Sequence, residues 1–297
     1  LISGILPPFT LSDWEKSFNL YKQIPEYKII NSTMTLDQFK VIYWWEYSHR
    51  LLGRIIGLFY LIPLFYFTFK KLIKKESLIS LYLILALIFF QGFIGWYMVK
   101  SGLTDRTDVS HYRLSLHLIL AFLIFILLLW NYLKYRNQCT IKYNKNIISY
   151  LLILFIFFIS LQICIGAFVS GLDAGKIYQT WPLMNENYYP DDSNLKDLFT
   201  IKSLETPSIV QFLHRNLAYL IFFMFAFILT IIFRSSDFFY LRKTSLVVLL
   251  FLFLQIFLGI LTIISGAQII VASMHQIGSI FLIAGCIILL FKNFRIN

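Results

Sequence analysis

Residues 77–99 read SLISLYLILALIFFQGFIGWYMV, twenty-three positions in a row without a charged side chain. As an α-helix at about 1.5 Å per residue the run is about 34 Å long, enough to cross a hydrocarbon core of roughly 30 Å. Six more windows of this kind lie around it, at 51–69, 114–133, 147–170, 210–233, 245–266 and 268–291. The first contains Arg54, and the last two meet at a short turn around Ser265 and Gly266. The 297-residue chain is 59% hydrophobic and 14% charged, with a mean hydropathy of +0.73. A soluble chain of this length cannot cover so much apolar area. The sequence therefore predicts an all-α, polytopic membrane protein with seven transmembrane helices.

Charge sets the orientation. The loops after the first, third and fifth windows, with the C-terminus, hold thirteen basic residues: Lys70, Lys71, Lys74, Lys75, Lys134, Arg136, Lys142, Lys145, Arg234, Arg242, Lys243, Lys292 and Arg295. Only Glu76 and Asp237 oppose them, so the whole net charge of +11 falls on one face. The positive-inside rule puts that face in the cytoplasm or the mitochondrial matrix. Insertion topology thus accounts for the basic loops without a nucleic-acid partner. The domain reading is an outer segment at 1–48, an N-terminal half-bundle at 49–134, an inner loop at 135–146 and a C-terminal half-bundle at 147–297. The outer segment, with Pro7, Pro8 and Pro25, reads as loop with short helical pieces. Cys139, Cys164 and Cys286 show no paired or metal-finger spacing, and no disulfide is expected.

The windows repeat. EYSHRLLGR at 46–54 is matched by QFLHRNLAY at 211–219, QGFIGWYMVKSGL from Gln91 by QIFLGILTIISGA from Gln255, and YRLSLHLILAF around His117 by VASMHQIGSIF around His275. The offsets are 165 for the first histidine, 164 for the glutamine and 158 for the second histidine. A third version, QICIGAFVSGLDAG from Gln162, opens the second copy and has no counterpart opening the first. The pattern predicts two pseudo-repeated four-helix bundles, with one span expected upstream of Leu1.

Each copy brings two histidines close to the outer ends of non-adjacent spans: His49 with His117, and His214 with His275. Two imidazoles facing each other at one depth inside an apolar bundle are what axial ligation of a haem iron requires. Even without a ligand, the rings of His214 and His275 should face one cavity across the bundle. Zinc suits the pattern less well, because it favours four close ligands including thiolates. His111, beside Asp108, breaks the repeat and reads as solvated surface. Arg50 and Arg215 follow the first histidines and Arg113 lies one turn before His117, so all three are candidate partners for haem propionates; interfacial snorkelling is the alternative. Arg54, a turn deeper, is expected to be paired. Glu46 sits one turn before His49, where the second copy has Gln211. A carboxylate there can act as a base or stabilise positive charge, or simply pair with Arg50. The asymmetry points to chemistry in the first half, and the change Gln211→Glu is expected to do little.

Taken in order, EYSHRLLGR, VSHYRLSLH, GAFVSGLDAGKIYQTWPLM, QFLHRNLAY and the final MHQ closely resemble haem A synthase, in the form found in α-proteobacteria and mitochondria. The resemblance covers essentially the whole chain, including the ISGILPP start, which in the family follows the first span. It implies an oxidoreductase that converts the C8 methyl group of haem O to the formyl group of haem A for cytochrome oxidase. It also implies a resident haem b between His214 and His275, and substrate haem O between His49 and His117 with Glu46 as the catalytic carboxylate. Membrane lipid, a haem O synthase, an electron donor and further copies of the chain are the candidate partners. The expected location is the bacterial inner membrane, or the mitochondrial inner membrane in a eukaryote. This chain lacks the outer-loop cysteine pair of Gram-positive relatives, so no thiol role carries over. The competing reading is a di-haem b-type electron-transfer cytochrome that modifies no haem, and a transporter is a third class.

Overall fold

The computed structural model describes residues 6–102, 107–137 and 146–294. Cys139, Lys142, Lys145, Arg295 and most of the inner loop expected at 135–146 lie outside them. Two short helices, α1 (Leu11–Tyr21) and α2 (Pro25–Ile29), precede seven long ones. These are α3 (Leu36–Phe69), α4 (Lys75–Gly102), α5 (His111–Asn137), α6 (Ile147–Gly171), α7 (Pro207–Arg234), α8 (Arg242–Ile264) and α9 (Ile269–Phe294). Each long helix carries an apolar window able to cross a membrane. Every window read from sequence falls within one of them to within two residues. Among the described residues the only extended pairing is an isolated bridge between Met184 and Asn187. The chain is an all-α, multi-pass membrane protein.

The largest departure from the sequence reading is the start of α3. The helix begins at Leu36, four turns ahead of its apolar window, and its 34 residues make it about 51 Å long. A capping box starts it: the Thr35 side chain accepts from the Gln38 amide, and the Gln38 side chain accepts from the Thr35 amide at 2.9 Å. An aromatic face then sustains it. Phe39, Tyr43 and Tyr47 recur every fourth residue and are buried with Phe18 and Tyr21 of α1. Ring contacts of 4.9 Å (Trp14–Tyr43), 5.2 Å (Phe18–Phe39) and 5.1 Å (Tyr21–Phe39) knit the cluster, each such pair adding about 0.5–1.5 kcal/mol beyond burial. The outer segment is therefore a helical cap built on the protruding turns of α3.

The chain divides into two compact units, Leu1–Leu120 and Ala121–Asn297. In the second, α6 packs on α7 and α9, and α8 packs on α7 and α9, closing a four-helix ring. Helix α9 is its most buried member: 61% of its apolar window is buried, against 22% for α7 and α8. Phe155 and Phe225 stack at 4.8 Å in the middle, and Gly285 brings α9 within 3.1 Å of Val248 at its would-be Cβ. One end of the ring is tied by Asn293, which donates to Ser149 at 2.8 Å and accepts from Tyr240 at 3.2 Å. The other end is covered by residues 172–206, which meet the α8–α9 turn where Gly175 faces Ala267 and Gly266 faces Gln179. These two ends are the ones the charge count assigns to the inner and outer faces.

In the first unit, Tyr60 of α3 donates to the Leu81 carbonyl of α4 at 2.9 Å. Arg113 of α5 donates to Ser101 of α4 at 2.5 Å and lies 4.9 Å over the Tyr97 ring. Only 6% of the α3 window is buried, so that helix presents most of its apolar surface outward.

Candidate functional site

His214 is the eighth residue of α7 and His275 the seventh of α9, so both lie about two turns inside the outer end of the ring. Their ring centroids are 6.4 Å apart with planes at 79°. Imidazole nitrogens bind metals at about 2 Å, which sets two rings on opposite sides of one ion roughly 6 Å apart. The pair has that separation. Both Nδ1 atoms are buried without a partner among the described residues. Glycines make the room: a Cβ on Gly166 of α6 would stand 3.2 Å from His214 Cε1, and one on Gly259 of α8 would stand 3.1 Å from His275 Cε1. A flat macrocycle carrying one metal fits this donor set and these cradles.

Next to His214, the outer loop is fastened to α7. Gln211, 1% exposed, donates to the Tyr178 carbonyl at 3.0 Å. Arg215 donates to the carbonyls of Tyr178 at 3.1 Å and Leu183 at 3.2 Å. Tyr178 is itself buried, and its hydroxyl donates to Asp191. Both terminal nitrogens of Arg215, read from sequence as a propionate partner, are thus engaged with the loop backbone.

In the first unit His49 of α3 is exposed and His117 of α5 half-buried, within electrostatic reach of each other. Gly95 of α4 cradles His117, its would-be Cβ 3.0 Å from Cε1. Glu46 lies one turn from His49 and forms a 3.8 Å ion pair with Arg50, both side chains being about a third exposed. A part-exposed pair of this length is worth about 0–1 kcal/mol, so the carboxylate is only lightly held. Glu26 of α2 stands close enough for the charges of Glu46 and Asp108 to reinforce burial in pushing its carboxyl up. Arg54 is on the exposed side of α3. His111 is half-buried as the first residue of α5, its ring 4.1 Å from that of Tyr112, rather than fully solvated.

The family model described as cytochrome oxidase assembly protein, COX15-CtaA, matches residues 1–287. The chain belongs to this family. Curated relatives named haem A synthase are similar along nearly its full length. The Pelagibacter ubique protein is 48% identical over 297 residues, covering 99% of this chain and 86% of the relative. The Rickettsia felis protein is 41% identical over 287 residues and the Rickettsia bellii protein 42% over 290, each covering 95% of this chain and 84% of the relative.

Set against that family membership, the structure adds residues to the site that the sequence reading passed over. Gln91 and Gln162 each contact a site histidine twice, through ring and main chain. The signal was present in the repeat, since glutamine precedes glycine by four residues in all three copies: Gln91 and Gly95, Gln162 and Gly166, Gln255 and Gly259. That spacing puts both on one helical face.

Proposed function

We propose that this chain is a haem A synthase of the bacterial inner membrane, an oxidoreductase that converts the C8 methyl group of haem O to the formyl group of haem A. Its basic loops face the cytoplasm. Haem b is the resident cofactor, held by His214 and His275, and haem O is the substrate, held by His49 and His117. The separation and glycine cradles of the His214–His275 pair support the first assignment, and the matching histidines and Gly95 in the first unit support the second. Haem b supplies one-electron redox chemistry when bound.

One observation carries the division of labour. Gln211 is committed to the Tyr178 carbonyl and buried, whereas Glu46, its counterpart, is about a third exposed and loosely paired. Removing electrons from a methyl group builds positive character at the carbon and releases a proton. The Glu46 carboxylate can stabilise the first and accept the second, with Arg50 as its ion-pair partner. Arg50, Arg54 and Arg113 are the candidate propionate donors; Arg215 closes the outer loop over the haem b site. Lipid surrounds the apolar faces, while haem O synthase, an electron donor and further copies of the chain are candidate partners.

Extraction and identification of the pigments from purified protein supplied with haem O tests the reading. Haem A together with haem B is expected. Haem B alone, in an intact protein, would leave the electron-transfer cytochrome.

A further inference from the structure

The same side-chain arrangement occurs twice. Gln91 Nε2 lies 3.3 Å from His117 Nε2 and 3.0 Å from the His117 carbonyl oxygen. Gln162 Nε2 lies 3.2 Å from His214 Nε2 and 3.0 Å from the His214 carbonyl oxygen. A carbonyl only accepts, so the atom facing it is the amide nitrogen and not the amide oxygen. The same nitrogen then has only hydrogens to offer the ring, and Nε2 of each histidine must accept. That fixes the neutral tautomer with hydrogen on Nδ1 and the lone pair on Nε2. Both Nδ1 atoms are buried and have no partner among the described residues, so no other contact sets the tautomer. One turn along, Gly95 and Gly166 close on Cε1 of the same rings at 3.0 and 3.2 Å from a would-be Cβ, which limits ring rotation from the other side.

We infer that Gln91 and Gln162, with Gly95 and Gly166, are positioning residues that hold His117 and His214 ready to bind iron through Nε2. The inference rests on the haem reading above and deepens it. The glutamine is a placeholder: it occupies the Nε2 lone pair until iron takes it, and then keeps its bond to the histidine carbonyl. His275 shows that amide and glycine are separable parts of the device. It has the cradle of Gly259, but Gln255 Nε2 lies against Gly278 and is unpartnered. The two histidines of one haem site are therefore held differently, His214 by the Gln162 amide and Gly166 and His275 by Gly259 and the main chain at Gln255.

Two variants of the full chain test this: Gln162→Met, which keeps the volume and removes the amide, and Gly166→Ala, which keeps the amide and crowds the ring. Groups that orient metal-binding histidines change metal affinity by about 10–100-fold when removed. Gln162→Met should therefore lose at least about tenfold in haem b affinity and shift the low-spin electron paramagnetic resonance spectrum, which reports the axial imidazole planes. Gly166→Ala keeps the amide and places a Cβ 3.2 Å from His214 Cε1, so in folded protein its spectrum should shift as the His214 ring is pushed aside. In the haem-free chain, nitrogen resonances of labelled His214 should show an unprotonated Nε2, and Gln162→Met should mix the tautomers. Unchanged spectra and affinity in Gly166→Ala, and in Gln162→Met where it folds, would overturn the inference while leaving the haem site in place. A chain that binds no haem but keeps the single tautomer would overturn the haem reading and not the clasp.

Discussion

Gln211 donates its side-chain amide to the main-chain carbonyl of Tyr178 across 3.0 Å, in a place where Gln211 is 1% exposed. This bond changes the expectation for Gln211→Glu. From sequence the change looked harmless, a carboxylate placed where the first copy already has one. In the fold it sets an acceptor against an acceptor, and the loop over the His214 site loses a tie. Leaving a buried polar group unsatisfied costs about 1–3 kcal/mol, more if it is charged. Gln211→Glu protein should melt earlier and release haem b faster, measured by thermal scanning and pigment retention. Wild-type retention would mean that the loop is held by Arg215 alone.

Tyr178 gives the same loop a pH limit. Burial, reinforced by its bond to Asp191, pushes the phenol up to about 12. The fold favours the protonated phenol, so this contribution is complete below the ordinary tyrosine value near pH 10 and is lost as pH rises through about 12. Ultraviolet titration should find Tyr178 among the tyrosines that ionise late, with Tyr21 of α1 another. In Tyr178→Phe protein the late step should be smaller by one tyrosine, and an undiminished late step would move the assignment to another tyrosine.

Sidedness is tested by single cysteines at Asp192, in the outer loop, and Asp237, between α7 and α8, both exposed, in a chain whose three native cysteines are replaced by alanine. An impermeant thiol reagent applied to intact cells should label position 192 and not 237. Labelling of both or of 237 alone would break the topology.

The spans were legible because a membrane helix must be apolar for its whole length, and seven such windows leave little freedom. Alternating charge gave their direction, and recurring His49, His117, His214 and His275 gave the paired sites. The early start of α3 was hidden by its chemistry: Tyr43, Trp44 and Tyr47 are aromatic but not hydrophobic enough to register as a span. Thr35 and Gln38, three residues apart, and the four-residue recurrence of Phe39, Tyr43 and Tyr47 were the available signals. The loop contacts of Arg215 were not legible, because the sequence does not say that residues 178–183 fold back over α7. That contact joins positions more than thirty apart, and no local pattern encodes it.

The claim that the first unit performs the oxidation is tested most directly by Glu46→Gln. A glutamine keeps the size of the side chain but neither accepts a proton nor carries negative charge to the reacting carbon. Removing a group of this kind costs about 10²–10⁴-fold in rate. Pigments extracted from Glu46→Gln protein should show haem b retained at the His214–His275 site, with haem O or a partly oxidised haem in place of haem A. Normal haem A from that protein would contradict the account.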